Sequence, residues 1–157
     1  KGLKILIVGY VAIGRRVAEL LRVLVAEIIV YDKYLPEECT HTLEQGVALA
    51  EAISLHASGK EEILSEELFA QMKEGVILLN SARGGLINEH ALYHALKERK
   101  VAAFWGDALW TEPYEGELRE CKNAILTPHI CTYTTQCRTS MERQAVENLL
   151  EDLEDGI

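Results

Sequence analysis

Hydrophobic residues along this chain fall into short, nearly unbroken runs, separated by stretches in which they recur every three or four positions. The runs at 4–8, 27–31, 52–56, 76–80, 102–106 and 124–127 are rich in Ile, Val and Leu. That pattern predicts strands covered by helices on both faces. Between them, helical spacing predicts helices over roughly 13–24, 65–73 and 88–98. The last begins at Asn88, a favourable N-cap, and sets Ala91, Leu92, Ala95 and Leu96 on one face. A final helix is expected at about 135–155, where Met141, Ala145, Val146, Leu149, Leu150 and Leu153 share helical spacing. Strands alternating with helices imply right-handed crossovers, hence an α/β fold with a doubly wound parallel sheet in a three-layer α/β/α sandwich. With no internal repeat or linker, residues 1–157 read as a single domain.

One interval is thin. Between Asp32 and the strand at 52–56, a full doubly wound half would fit a helix, a strand and another helix. Only about twenty residues are there, and one complete βαβ unit takes ~30. The connection is therefore expected to be abbreviated, or to lack a segment.

Composition narrows the class. Hydrophobic residues make up 48% of 157, enough for a packed core. No apolar run approaches the ~20 residues a membrane span needs, so no membrane association is expected. A net charge of −9 argues against a nucleic-acid surface. The N-terminus enters a strand pattern directly, without a signal-peptide pattern. The four cysteines (Cys39, Cys121, Cys131, Cys137) form no Cys-x-x-Cys pair, and they read as reduced thiols of a cytoplasmic protein. His90 and His94 stand four apart on a predicted helix, a spacing that can chelate. Beyond Glu89 or Glu98 no third ligand suggests itself, and no metal is expected.

Chemistry enters at the first strand's end. Gly9-Tyr-Val-Ala-Ile-Gly14 lies between the run Lys4–Val8 and a helix, where a Rossmann-like unit keeps its phosphate loop. Gly9 permits the tight turn and Gly14 the close helix–sheet packing. The following helix points its N-terminus at a pyrophosphate. The next strand ends at Asp32, whose carboxylate can accept both ribose hydroxyls and repel a 2′-phosphate, favouring NAD over NADP. Val11 stands where a glycine would let the backbone approach the pyrophosphate. Its branched side chain is expected to weaken binding. Val25 similarly occupies a helix C-terminus where glycine is favoured.

Three further segments follow predicted strands, at the edge where open α/β sheets bind ligands: Leu79-Asn-Ser-Ala-Arg-Gly-Gly85, Gly106-Asp-Ala-Leu-Trp-Thr-Glu-Pro113 and Leu126-Thr-Pro-His-Ile130. They can bring Arg83, Glu112 and His129 together beside a cofactor. Removing hydride from a secondary alcohol requires removing its proton as well, and a histidine suits that task near neutral pH. A carboxylate on its other ring nitrogen fixes the tautomer, and an arginine fork can clamp a substrate carboxylate.

The stretches "GYVAIGRRVAELL", "VYDKYLP", "SLHAS", "FAQMKEGVILLNSARGGLINEHALYHAL", "GDALWTEP" and "ILTPHI", with the helix "MERQAVENLLEDL", resemble the cofactor-binding domain of the D-isomer-specific 2-hydroxyacid dehydrogenases. "NSARGGLINEHAL" and "LTPHI" are together highly specific. The resemblance implies an NAD-dependent oxidoreductase acting on a small 2-hydroxy or 2-keto acid. Arg83 would be its clamp, Glu112 the acid paired with the base, and His129 the acid/base. It also implies that Ala12 and Ile13 lie under the pyrophosphate and that Ser81 and Ala82 line the nicotinamide. Asp107 would lie near the carboxamide, and residues 130–132, among them Cys131 and Thr132, would form a turn reaching it. His56, Ala57 and Ser58 would lie near the adenosine, with Ser58 in place of a usual proline. Members of this family dimerise through this domain, so a homodimer is expected. They also carry a second, substrate-binding domain that closes over the site. No counterpart is expected within these residues, which alone are expected to be a poor catalyst. A non-catalytic nucleotide-binding or regulatory module is the competing expectation.

Overall fold

A computed structural model describes residues 2–24 and 27–155; Val25 lies outside them. Among the described residues there are six strands: β1 (Lys4–Val8), β2 (Glu27–Tyr31), β3 (Ala52–Leu55), β4 (Val76–Asn80), β5 (Val101–Gly106) and β6 (Ala124–Leu126). They form one parallel sheet in the order β2-β1-β3-β4-β5-β6. Helices α1 (Ala12–Val23), α2 (Leu43–Leu49), α3 (Glu66–Gln71), α4 (Glu89–Lys97) and α5 (Thr135–Asp155) complete the chain, with short 3₁₀ turns at Pro36–Glu38, Gly84–Leu86 and Glu117–Glu120. The strand order reverses between β1 and β3. That reversal opens a crevice at the carboxyl edge of the sheet.

The sheet has a core on each face. On one, Leu6, Ile53, Leu78 and Phe104 pack with Val47 of α2, Leu68 and Phe69 of α3, and Leu92 and Leu96 of α4. On the other, Ile5, Ile7 and Val30 pack with Ala18 of α1. α5 stands apart: nearly its whole length is exposed, and the apolar stripe of Val146, Leu149, Leu150 and Leu153 meets no packed surface among the described residues.

The thin interval is a shortened crossover. One helix, α2, carries the chain from β2 past β1 to β3. It is held by a capping box in which Thr42 accepts from the Gln45 amide and Gln45 accepts from the Thr42 amide. Gly46 brings α2 close to the sheet, since a Cβ there would come within 2.9 Å of a Leu6 methyl. Among the described residues no strand pairs outside β2. Thr40 covers that edge instead, its amide donating to the Val30 carbonyl (3.1 Å) and its hydroxyl accepting from the Val30 amide (3.0 Å).

Candidate active site

At the end of β1, Gly9 takes φ of +92°, and its amide donates to the Tyr31 carbonyl at 2.9 Å. A side chain cannot enter there: a Cβ would lie 2.4 Å from the Ala57 nitrogen. At Gly14 a Cβ would lie 1.9 Å from the Gly9 oxygen, so the two glycines interlock. α1 then begins at Ala12 with Val11 as a cap that offers no side-chain acceptor and with no acid in its first turn. Its leading amides remain open to an anion. Val11 has φ of −99°, which any residue adopts, and its side chain is 58% exposed on the wall of the crevice. The loop accommodates valine without backbone strain; what it loses is room in front of the helix end.

Asp32 ends β2 beside this loop. It is 6% exposed, and its carboxylate accepts from the Tyr10 amide (2.7 Å) and the Tyr34 amide (2.8 Å). Asp32 thus braces the glycine loop as well as facing the crevice. The cavity here measures about 590 Å³ and is walled by Gly9, Val11, Asp32, Tyr34, Ala57 and Ser58 among others. An open helix N-terminus, an acid at the next strand end and a cavity of this volume fit the adenosine half of a dinucleotide.

His56 is spent internally. Its ring nitrogens bond the hydroxyls of Ser54 and Ser81, each at 2.9 Å, tying β3 to the end of β4. Burial pushes its pKa down, so the ring is held neutral. The ring therefore fixes Ser81, while the backbone of Ala57 presses on Gly9.

The loops after β4, β5 and β6 are laced together by two buried polar residues that the sequence did not single out in this role. Asn80 accepts from the Ala82 amide (2.9 Å), donates to the Arg83 carbonyl (2.8 Å), and through its own carbonyl receives the Asp107 amide (3.1 Å). Its signal was a lone polar residue closing an apolar run. Asp107, 2% exposed, accepts from the Thr127 hydroxyl (2.6 Å) and from the amides of Ile130 and Cys131 (each 3.0 Å). Burial alone would raise its pKa. The donors around it, with the Cys131 thiol among them, outweigh that and hold it at about 2. The Cys131 thiol in turn is pushed up to about 11 by burial and the facing carboxylate. Asp107 thus fixes the 130–132 turn, and Thr132 is exposed at its rim.

Arg83 leads into the Gly84–Leu86 turn. A Cβ on Gly84 would sit 2.4 Å from the Trp110 nitrogen, so the Arg83 loop bears directly on the loop carrying Glu112. The exposed Arg83 guanidinium touches only its neighbour's carbonyl, that of Ala82, at 2.7 Å among the described residues. His129 Nδ1 and Glu112 Oε1 are 2.9 Å apart, both side chains about half exposed. His129 has φ of +54°, a conformation a non-glycine residue seldom keeps without cause, and its amide is pinned to the Asp107 carbonyl at 2.8 Å. With Nδ1 on the carboxylate, Nε2 is left to handle a proton. Elsewhere, His90 and His94 bring their Nε2 atoms within 3.1 Å on α4, and no group of three metal-ligating side chains occurs among the described residues.

A family profile described as D-isomer specific 2-hydroxyacid dehydrogenase, NAD binding domain, matches residues 1–131. A hydroxypyruvate reductase of Blautia hydrogenotrophica is 37% identical over 158 residues, covering 94% of this chain and 49% of that protein. A glyoxylate reductase from Paecilomyes thermophila superposes with a TM-score of 0.88 at 32% identity, over 99% of this chain and 51% of that one. A D-isomer specific 2-hydroxyacid dehydrogenase from Lactobacillus delbrueckii ssp. bulgaricus, in its NAD-complexed form, gives 0.83 at 26% identity, over 98% and 54%. The chain spans about half the length of these relatives.

Proposed function

Since the chain belongs to the D-isomer-specific 2-hydroxyacid dehydrogenases as their NAD-binding domain, we propose that it serves an oxidoreductase interconverting a small D-2-hydroxy acid and its 2-keto acid. Bound NAD supplies the hydride acceptor or donor. His129 Nε2 takes the hydroxyl proton on oxidation and returns it on reduction, and Glu112 on Nδ1 fixes the tautomer and stabilises the imidazolium. Arg83 clamps the substrate carboxylate with its planar fork, which no carboxylate of the described residues engages. Gly9, Val11, Ala12, Ile13 and Gly14 hold the pyrophosphate, Asp32 and Ala57–Ser58 the adenosine side, and Ser81, Ala82, Asp107, Cys131 and Thr132 the nicotinamide side. We read residues 1–157 as one cofactor-binding unit of a cytoplasmic homodimer, a state favoured by the exposed apolar stripe of α5.

The observation that carries this reading is the 2.9 Å His129–Glu112 pair on a left-handed backbone, with a neighbouring loop whose Arg83 engages no carboxylate among the described residues. It is tested by calorimetric titration with ADP-ribose and NAD, followed by NADH oxidation against a panel of 2-keto acids. Binding with slow turnover is expected of the chain alone, because domain closure excludes water and completes such sites. Failure of ADP-ribose to bind sinks the reading. One observation favours a regulatory module instead: Val11 narrows the space before α1. Binding without turnover, even when the family's second domain is supplied in a chimera, would establish that alternative.

A further inference from the structure

The adenosine-side cavity carries an unusual set of charges. Asp32, Glu61 and Glu62 line it together with Lys33 and Lys60. Asp32 divides its acceptor capacity between the glycine loop and the crevice. Each of its oxygens already accepts a backbone amide, and the carboxylate is buried, so much of its charge is answered before a ribose arrives. The residue after it, Lys33, is a cation on the cavity wall beside that acid. An unopposed lysine there would welcome a phosphate.

It is not unopposed. Lys33 Nζ lies 2.7 Å from Glu61 Oε2, joining the loop after β2 to the loop after β3 across the mouth of the cavity. The aromatic ring of Tyr34 flanks the ammonium at 5.8 Å. Glu62 does not share the task, because its carboxylate accepts from the Asn88 amide group at 3.1 Å. The pair shifts both partners in the directions an ion pair demands: the hydrogen bond and charge of Glu61 raise Lys33, and those of Lys33 lower Glu61.

We propose that Glu61 is a specificity-determining residue for the cofactor, keeping the site selective for NAD by holding Lys33 away from a 2′-phosphate. The inference rests on the dinucleotide reading above and deepens it. Selectivity is then divided between two acids on different loops. Asp32 meets the ribose hydroxyls, and Glu61 neutralises the cation that would otherwise reward the extra phosphate. Lys33 and Glu61 are 60% and 79% exposed, so their removal should not disturb folding, and the gain on freeing Lys33 is that of a surface pair.

Titration calorimetry with NADP⁺, NAD⁺ and ADP-ribose, on the unaltered chain, on Glu61→Gln and on Lys33→Gln/Glu61→Gln, tests this. Glu61→Gln should tighten NADP⁺ by about fivefold at low salt, with NAD⁺ and ADP-ribose changing by less than about twofold. The double variant should lose that gain, and so should Glu61→Gln at ionic strength that screens exposed charges. A Glu61→Gln variant that binds all three ligands as before, one that tightens NAD⁺ equally, or a double variant that keeps the gain, overturns the proposal while the dinucleotide site stands. No ADP-ribose binding by the unaltered chain overturns the site itself and this inference with it.

Discussion

The two ends of the sheet's carboxyl edge solve the same problem differently. At the adenosine end, β1 and β2 hold their loops through glycines and one buried carboxylate, and the cavity stays wide. At the end that carries His129, β4, β5 and β6 hold theirs through a polar lattice, in which Asn80 and Asp107 together bind four backbone groups in the 82–83 and 130–131 segments. The first arrangement works by excluding side chains, so it tolerates Val11 facing solvent but no Cβ at Gly9 or Gly14. The second works by satisfying donors, so it tolerates bulk at Cys131 and Thr132 as long as the acceptors remain. Close backbone approach leaves space for a large ligand, whereas a hydrogen-bonded lattice fixes a few atoms for chemistry.

This contrast can be broken at either end. The largest effect is expected at the catalytic pair: His129→Ala should lower 2-keto acid reduction by about 10²-fold or more in steady-state assays, with ADP-ribose affinity unchanged. At the other end, Gly14→Ala should cost about 3 kcal/mol in urea unfolding, despite alanine's better helix propensity, because its Cβ meets the Gly9 carbonyl. Asp107→Asn comes next, at about 2 kcal/mol, the value of lowering a carboxyl from 3.8 to about 2. The sign follows from the depressed folded-state pKa. The contribution is complete above about pH 4 and is lost as pH falls towards 2, so acid unfolding of the unaltered chain should steepen there and that of the variant should not. Val11→Gly should tighten NAD by a few-fold, about 1 kcal/mol at most, in the same calorimetric assay, and equal affinities would remove the steric account. The smallest effect concerns His56. Its lowered pKa means the unfolded chain takes up a proton that the folded ring refuses, so stability should decline as pH drops below about 6.5. His56→Gln should flatten that slope in thermal unfolding.

How far the sequence could be read depends on which physical term decides each element. The strands were legible to within a residue or so, because strands covered on both faces leave uninterrupted apolar runs. Helices α1, α3 and α4 emerged within two residues of their expected ends. α2 did not, because seven residues carry too little periodicity; the Thr42-x-x-Gln45 box was the available sign. α5 shows the opposite limit. Its bounds follow from spacing, yet its stripe lies open to solvent, because periodicity announces an apolar face without saying what will cover it. In the candidate site, the glycine turn at Gly9 and Gly14, the acid closing β2 at Asp32 and the meeting of Glu112 with His129 were legible from position alone. That Asp107 would be consumed by the 130–132 turn was not, since its partners come from a segment more than twenty residues away and are mostly backbone. The Lys33–Glu61 pair was hidden for the same reason, since it joins two loops 28 residues apart.

The doubly satisfied backbone of Val30 has a bearing on solubility. A parallel sheet that ends one strand early would ordinarily present a bare ladder, ready to recruit another molecule's strand into a growing ribbon. Here a single threonine answers the outward donor and acceptor at the middle of that border, so the shortened crossover carries its own protection against aggregation.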